Sequence, residues 1–521
     1  MHIDARQLDN GSLIEGDICI VGTGAAGISI ALDWIDSGYK VILLEGGGFD
    51  YDDQVQELYN GKLTGQPYYP MKSSRLHYFG GSTMHWGGMC AMFDELDFEK
   101  RDWVPHSGWP IKLQDIAAHY PKANDILDLG PFEWDVDYWI KKDPKMVPLP
   151  LDKNVVWNKM WHFSPPTRFG TKYKDTLVNA KNIHLYTYAN VVDITAGENV
   201  KNIQSVTVKN HAGRNHTVKA KYFILACCSI QTARLLMASN KQAPAGLGND
   251  HDLVGRYFME HPELKTGELW LTKTDELKLY QIEKVRAELA FHPHVQKELK
   301  LLNGTVALNP LPLVKNVKAN VQTWNEDDPR KSLKKNQDDY GTAPKRNFFQ
   351  KVMDKISPPK EEKSFQSYEL YTRIEQAPNP DSRVVLSDEK DALGVPRANL
   401  HWAMQPIDKY TVRKLNTLVG QLVGAAGIGR VRLYDFLLDE KDESMPDFTS
   451  GGWHHIGTTR MSDTPQTGVV DQNCKVFGLD NLYIAGSATF PTAGAINPTF
   501  TVVAISLRLS AHIKNEKMGK A

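Results

Sequence analysis

Cysteine is scarce in this chain of 521 residues: five occur, Cys19, Cys90, Cys227, Cys228 and Cys474, and none forms a C-x-x-C pair. That count and spacing give no disulfide framework, no iron–sulfur ligation and no zinc site. H-E-x-x-H is absent as well, so no metal is expected. Long apolar runs are missing: nowhere do about 18 apolar residues follow one another, so no membrane span is expected. Neither sign of charge dominates, with 61 Lys and Arg against 62 Asp and Glu and a net charge of −1. Nothing in that balance points to nucleic acid or an anionic membrane surface as a partner. The start, Met1-His2-Ile3-Asp4-Ala5-Arg6, has no basic segment leading into an apolar one. A cytoplasmic location is the favoured expectation, with periplasmic delivery by co-export with a partner as the alternative. A hydrophobic content of 41% and a charged content of 24% are ordinary for a globular protein. The length exceeds what one simple core accommodates and suggests two domains.

What is present begins with Asp17-Ile18-Cys19-Ile20-Val21, an apolar run suited to a buried parallel strand. Gly22-Thr23-Gly24-Ala25-Ala26-Gly27 follows at once. In this pattern Gly22 allows a tight turn, Gly24 lets backbone approach a pyrophosphate, and Gly27 lets helix pack on strand. Ile28, Ala31, Leu32 and Ile35 then mark one face of a helix that Ser37-Gly38 ends. Lys40–Leu44 is a second strand, and Glu45 at its end is placed to accept from ribose hydroxyls. A lone G-x-G-x-x-G is weak. Strand, loop, helix, strand and acid in order make it a dinucleotide site, without separating FAD from NAD.

Further along, Arg75 precedes Gly80-Gly81-Ser82-Thr83-Met84-His85-Trp86-Gly87-Gly88. Two glycine pairs around small polar residues imply backbone lying against something flat. Residues 183–226 read as β-structure with a hairpin at His211-Ala212-Gly213-Arg214, and Tyr222–Ala226 returns to the parallel sheet. From about 260 to 445, strand-like runs at Arg286–Phe291, Ser367–Glu375 and Val384–Leu386 accompany a long helix through Val412, Leu415, Val419 and Leu422. The fold class is α/β: a Rossmann-like cofactor domain plus a substrate domain built on a mostly antiparallel sheet backed by helices. The first domain is read as residues 1–110, 180–258 and 445–521, and the second as 111–179 and 259–444. Residues 325–363, rich in Lys, Asp, Asn and Pro, read as a mobile surface insertion. Near the end stand Trp453-His454-His455-Ile456-Gly457-Thr458 and Gly494-Ala495-Ile496-Asn497-Pro498-Thr499, with Pro498 suited to the first turn of a final helix.

The N-terminal fingerprint, the G-G-S-x-x-x-W-G stretch and the terminal H-x-x-G-T…N-P together resemble the glucose–methanol–choline (GMC) flavin oxidoreductases. Within them the residues are most similar to the sugar-oxidising branch of pyranose oxidases, C-glycoside 3-oxidases and glucoside 3-dehydrogenases. The resemblance implies FAD, with covalent attachment through His85 in several members. It implies flavin contacts from Gly22, Gly24, Ala25, Ala26, Gly27, Glu45, Arg75, Gly80, Gly81, Ser82, His85, Trp86, Val191, Ala226, Gly486, Pro498 and Thr499. It implies His454 as catalytic base, by its register before Gly457-Thr458, and Asn497 as its partner on the substrate oxygen. Gln376 and His455 are weaker expectations for substrate contact. The implied reaction oxidises a secondary hydroxyl of a sugar or glycoside, C3 before C2, with oxygen or another electron acceptor (a small subunit or a cytochrome) taking the electrons. Oligomerisation is left open. Imidazole suits the task because its ordinary pKa lies near working pH. A non-sugar alcohol, or lyase chemistry on the same fold, is the alternative.

Overall fold

The structure is a computed structural model, described here over residues 1–273, 277–311 and 367–518. The insertion read at 325–363 lies outside the described residues.

Ile18–Val21 and Val41–Leu44 are buried at every position. An unbroken apolar run, rather than an alternating one, is what a strand covered on both faces requires. Both lie inside a six-stranded sheet ordered His2–Asp4, Ile183–Thr187, Val41–Leu44, Ile18–Val21, Tyr222–Leu225, Leu482–Ile484, with every pairing parallel. The helix after the glycine loop covers Ala25–Asp33. It stops short of Ile35, and the chain turns through Gly38 at φ 78°. Gly27 is fixed by sterics: a Cβ there would sit 1.9 Å from the carbonyl oxygen of Gly22. The last helix, Thr499–His512, packs against Ala25–Asp33, so the two ends of the chain share one core.

The expected hairpin is present, Ile203–Lys209 against Asn215–Lys219, in a four-stranded sheet beside the first. A seven-stranded, wholly antiparallel sheet forms the second layer. Its order is Gly429–Leu433, Glu263–Leu271, Ser367–Ile374, Gly304–Leu311, Val285–Phe291, Val156–Phe163, Met89–Cys90. The helix Pro406–Ala425 covers it, burying Val412, Leu415, Val419 and Val423 completely. Each such side chain stabilises the layer by roughly 1.5–3 kcal/mol.

Two apolar clusters result, one around the parallel sheet and one around the antiparallel sheet. Two segments read with the second domain bury their apolar residues in the first cluster instead: Ile111–Leu129, and the hairpin carrying Val384, Leu400 and Trp402. That hairpin, Arg383–Lys390 with Pro396–Trp402, pairs with Leu63–Gly65 in a sheet of its own. We propose the two-domain division with these segments assigned to the first core. Single antiparallel bridges, Met259 to Ile456 and Glu263 to Ser450, join the start of the large sheet to the loop that carries His454.

Candidate active site

A cavity of about 440 Å³ runs from the glycine loop to the C-terminal loops. Gly22, Gly24, Ala25, Ala26, Glu45, Arg75, Gly81, Ser82, His85, Trp86, Val191, Ala226, Gly486, Pro498 and Thr499 line it, as do His454, His455 and Asn497. Strand ends and helix starts deliver these residues, as expected where ligands sit beyond the carboxyl ends of parallel strands. Gly27 and Gly80 do not line it. Gly80, at φ 97°, seats its loop against Gly170, and its N–H reaches the Thr23 carbonyl at 3.1 Å. Its place is in shaping the loop, off the cavity wall. Gln376 is likewise corrected: it is wholly buried, away from the cavity. Its Oε1 accepts from the Glu260 N–H and the Trp402 indole at 2.9 Å each, and its amide donates to the Ala403 carbonyl at 3.0 Å. Three of its four hydrogen-bonding positions are thus taken within the protein, and it does not line the cavity.

The lining fits FAD. A Cβ on Gly24 would meet no protein atom within 4 Å, so the backbone there is open to the cavity. Glu45 accepts from the Thr23 hydroxyl and the Gly47 N–H, and burial pushes its carboxyl above the usual range. Cys227 and Cys228 follow the strand Tyr222–Leu225. Cys228 is exposed in the cavity wall at φ 60°, its Sγ 3.8 Å from Arg75 Nη1. Cys19, Cys90 and Cys474 are buried. His85 stacks on Trp453 with centroids 4.9 Å apart, and burial pushes it down to about 3.

At the far end Asn497 Nδ2 lies 3.1 Å from His454 Nε2, and Asn497 Oδ1 is buried with no partner in the protein. A third residue, His261, completes the arrangement: its Nδ1 is 3.0 Å from His454 Nδ1, and its Nε2 is 3.2 Å from the Ala493 carbonyl oxygen. These contacts fix the tautomers. A carbonyl only accepts, so His261 Nε2 carries its proton and Nδ1 presents a lone pair. His454 Nδ1 must then donate, which leaves the lone pair of His454 on Nε2, facing Asn497 and the cavity. Burial, with the cationic Arg373 nearby, holds His454 well below the ordinary histidine range, and burial takes His261 to about 4. Both are neutral near pH 7. His454 is poised to take a proton and has none to give.

Glu260 anchors this loop. It accepts from the N–H groups of His454 at 2.9 Å, His261 at 3.0 Å and Gly452 at 3.1 Å, and from the Tyr68 hydroxyl. His455 turns away from Asn497 and meets Tyr68 at 3.0 Å, while its carbonyl accepts from the Ser229 and Ser487 hydroxyls. Trp453 stands at φ 58°, a strained value for a bulky residue. The clamp by Glu260 on either side of it holds that turn. Sequence reasoning missed Glu260, His261 and Tyr68, which lie almost 200 or more residues from their partners.

A dinucleotide cradle that ends at a buried, neutral histidine is consistent with a flavin-dependent oxidoreductase. Residues 17–247 match the FAD dependent oxidoreductase family, and residues 378–506 match the GMC oxidoreductase family. The chain belongs to the GMC oxidoreductases, and its cofactor is FAD. It is 23% identical to 2-methyl-1,2-propanediol dehydrogenase of Mycolicibacterium austroafricanum, over 96% of this chain and 95% of that one. It is 32% identical to a C-glycoside 3-oxidase of Microbacterium trichothecenolyticum over 26% of this chain and 24% of the relative. Among solved structures, formate oxidase superposes with a TM-score of 0.58 at 16% identity, covering 98% of this chain and all of that one. The chain is thus an enzyme, an FAD-dependent oxidoreductase.

Proposed function

We propose that this GMC oxidoreductase oxidises a secondary hydroxyl of a sugar or glycoside to the ketone, at C3 in preference to C2. The observation that carries the reading is the His454–Asn497 contact of 3.1 Å at the closed end of the flavin cavity. Bound FAD supplies the acceptor for the hydride leaving the carbinol carbon. His454 Nε2 takes the hydroxyl proton, and Asn497 hydrogen-bonds the same oxygen and sets its direction. The Nδ1–H donated to His261 keeps the ring from rotating. The N-terminus of the helix Thr499–His512 adds oriented N–H groups beside the cavity.

The likeness to a C-glycoside 3-oxidase supports C3, over about a quarter of the chain. The full-length likeness to a diol dehydrogenase favours a small non-sugar alcohol as second reading. Electrons then pass to oxygen or to another acceptor, and a small partner subunit or cytochrome is the alternative to oxygen. We keep the cytoplasm as the proposed location, with co-export as the alternative. Covalent attachment of FAD through His85 belongs to the same proposal.

Anaerobic bleaching of the flavin by a panel of sugars, glycosides and small diols tests the reading on wild type and His454→Ala. Rapid bleaching by glycosides that the substitution abolishes is expected, and readmitted air separates oxidase from dehydrogenase. Bleaching by diols alone supports the second reading, and no bleaching by any alcohol overturns both.

A further inference from the structure

The face of the antiparallel sheet that meets the cavity carries a row of charges. Antiparallel register sets Glu263 opposite Arg373, Arg373 opposite Thr305, and Lys159 opposite Glu288. Directly opposed residues share a face. Arg373 Nε donates to Glu263 Oε1 at 2.6 Å, and the Tyr371 hydroxyl donates to Glu263 Oε2 at 2.6 Å. Beyond them Glu288 accepts from Arg286 and, at 2.6 Å, from the Thr305 hydroxyl, and it lies 3.6 Å from Arg373 Nη1.

Glu263 and Arg373 line the same cavity as His454 and Asn497. Arg373 is 5% exposed, and its Nη1 has no hydrogen-bond partner in the protein. A guanidinium carries five N–H donors, and a carboxylate has about four lone-pair sites. Both groups therefore keep hydrogen-bonding capacity after pairing with each other, in the wall of the cavity they line. The pairing also cancels their charge. A lone carboxylate would select a cation and a lone guanidinium an anion. A neutralised row offers donors and acceptors side by side, which matches neutral hydroxyls. An apolar alcohol would leave these buried groups unanswered.

Resting on the sugar-oxidation reading above, we propose that Glu263 and Arg373 are specificity residues that hold hydroxyls remote from the reacting carbon, Glu263 accepting and Arg373 donating, and that the substrate is a neutral polyol. Neither residue moves the proton; each fixes which ring enters and how it lies.

The test compares methyl glucoside, its singly deoxygenated analogues, an amino glycoside, a uronic acid and cyclohexanol on holoenzymes of wild type, Glu263→Gln and Arg373→Lys with matched flavin content. Glu263→Gln should raise KM for methyl glucoside about tenfold or more, because a site built to bond a hydroxyl discriminates strongly on that bond. Loss of kcat should be smaller, and the loss of kcat/KM for cyclohexanol several-fold smaller again. Calorimetry should show the same weakening for an analogue that lacks the reacting hydroxyl. If the variants fail to fold, the wild type alone decides: removal of a remote hydroxyl should raise KM, and the neutral glycoside should outrun the amino and acidic ones. Equal losses on glucoside and cyclohexanol, or preference for a charged sugar, overturn this proposal alone. A wild type reduced by cyclohexanol and by no polyol overturns the sugar reading with it.

Discussion

His261 and His454 face each other through their Nδ1 atoms, 3.0 Å apart, with one proton between them. The Ala493 carbonyl at the other side of His261 determines which ring holds it. His454 thereby keeps its lone pair on the nitrogen nearest Asn497. His261 is a positioning residue. Replacing it with Ala should lower kcat, with KM little changed, and move the acid limb of the kcat–pH profile upward. The upward move follows from removing the neighbour that helps keep the His454 ring neutral. A purely structural loss would lower activity without moving the profile.

His454→Ala removes the proposed base. The expected fall in the rate of flavin reduction is about 10²- to 10⁴-fold, the usual worth of a positioned general base. Flavin content should hold, because the dinucleotide cradle stands at the other end of the cavity. Asn497→Ala should cost less, since the base survives. Stopped-flow absorbance under nitrogen measures both. An Asn497 variant slower than the His454 variant would reverse the assigned roles.

Gly452→Ala offers a test without deleting a reacting group. A Cβ at this position would lie 2.3 Å from His454 Cε1, so the imidazole must swing away. Flavin loading should change little, because the obstacle is a side chain and not backbone, while loss of the ring's bonds to His261 and Asn497 should lower Tm modestly. Turnover should fall by about tenfold or more, as misplacement of a reacting group by an ångström costs.

How much of this could be read beforehand differs along the chain. Ile18–Val21, the glycine loop and Val41–Leu44 were legible because their signals are local: an apolar run, a steric requirement at Gly27, and an acid at fixed distance. His454 and Asn497 rested on the family resemblance, and the structure brings them together. Glu260 and His261 were not legible, since nothing in Met259-Glu260-His261-Pro262 says that a loop 193 residues later lands on it. Glu263 and Arg373 depend on strand register, which sequence sets only weakly. Gln376 was misread because a polar residue near a turn looks available until its three partners are known.

Acid should destabilise the protein. Burial takes His77, His85 and His455 to about 3 and His261 to about 4, with His454 also well depressed. Each stays neutral when folded and takes up a proton only when unfolded, once pH drops below its ordinary value of about 6.5. Stability is therefore present above that value and is lost as pH falls toward the folded values. Asp97, Asp408 and Glu260, raised to about 7 by burial, and Glu45, also raised, act in the opposite sense and are outnumbered. Thermal melts of the apoprotein from pH 7 to pH 5 should show a falling Tm, and a rising one would contradict these assignments.

If His85 carries the flavin, acid-precipitated protein should stay yellow, and His85→Ala should release the colour to the supernatant. Intact mass measurement distinguishes the two outcomes directly.

The strand Leu482–Ile484 pairs with Tyr222–Leu225, and the helix Thr499–His512 closes over Ala25–Asp33. During synthesis on the ribosome, the first half of the cofactor cradle therefore emerges hundreds of residues before the pieces that seal it. Until then Tyr222–Leu225 is a bare apolar edge, the kind of surface that chaperones guard and proteases find. The flavin cavity is complete only once Gly486, Asn497, Pro498 and Thr499 have joined its wall, so its lining is assembled from segments made far apart in time.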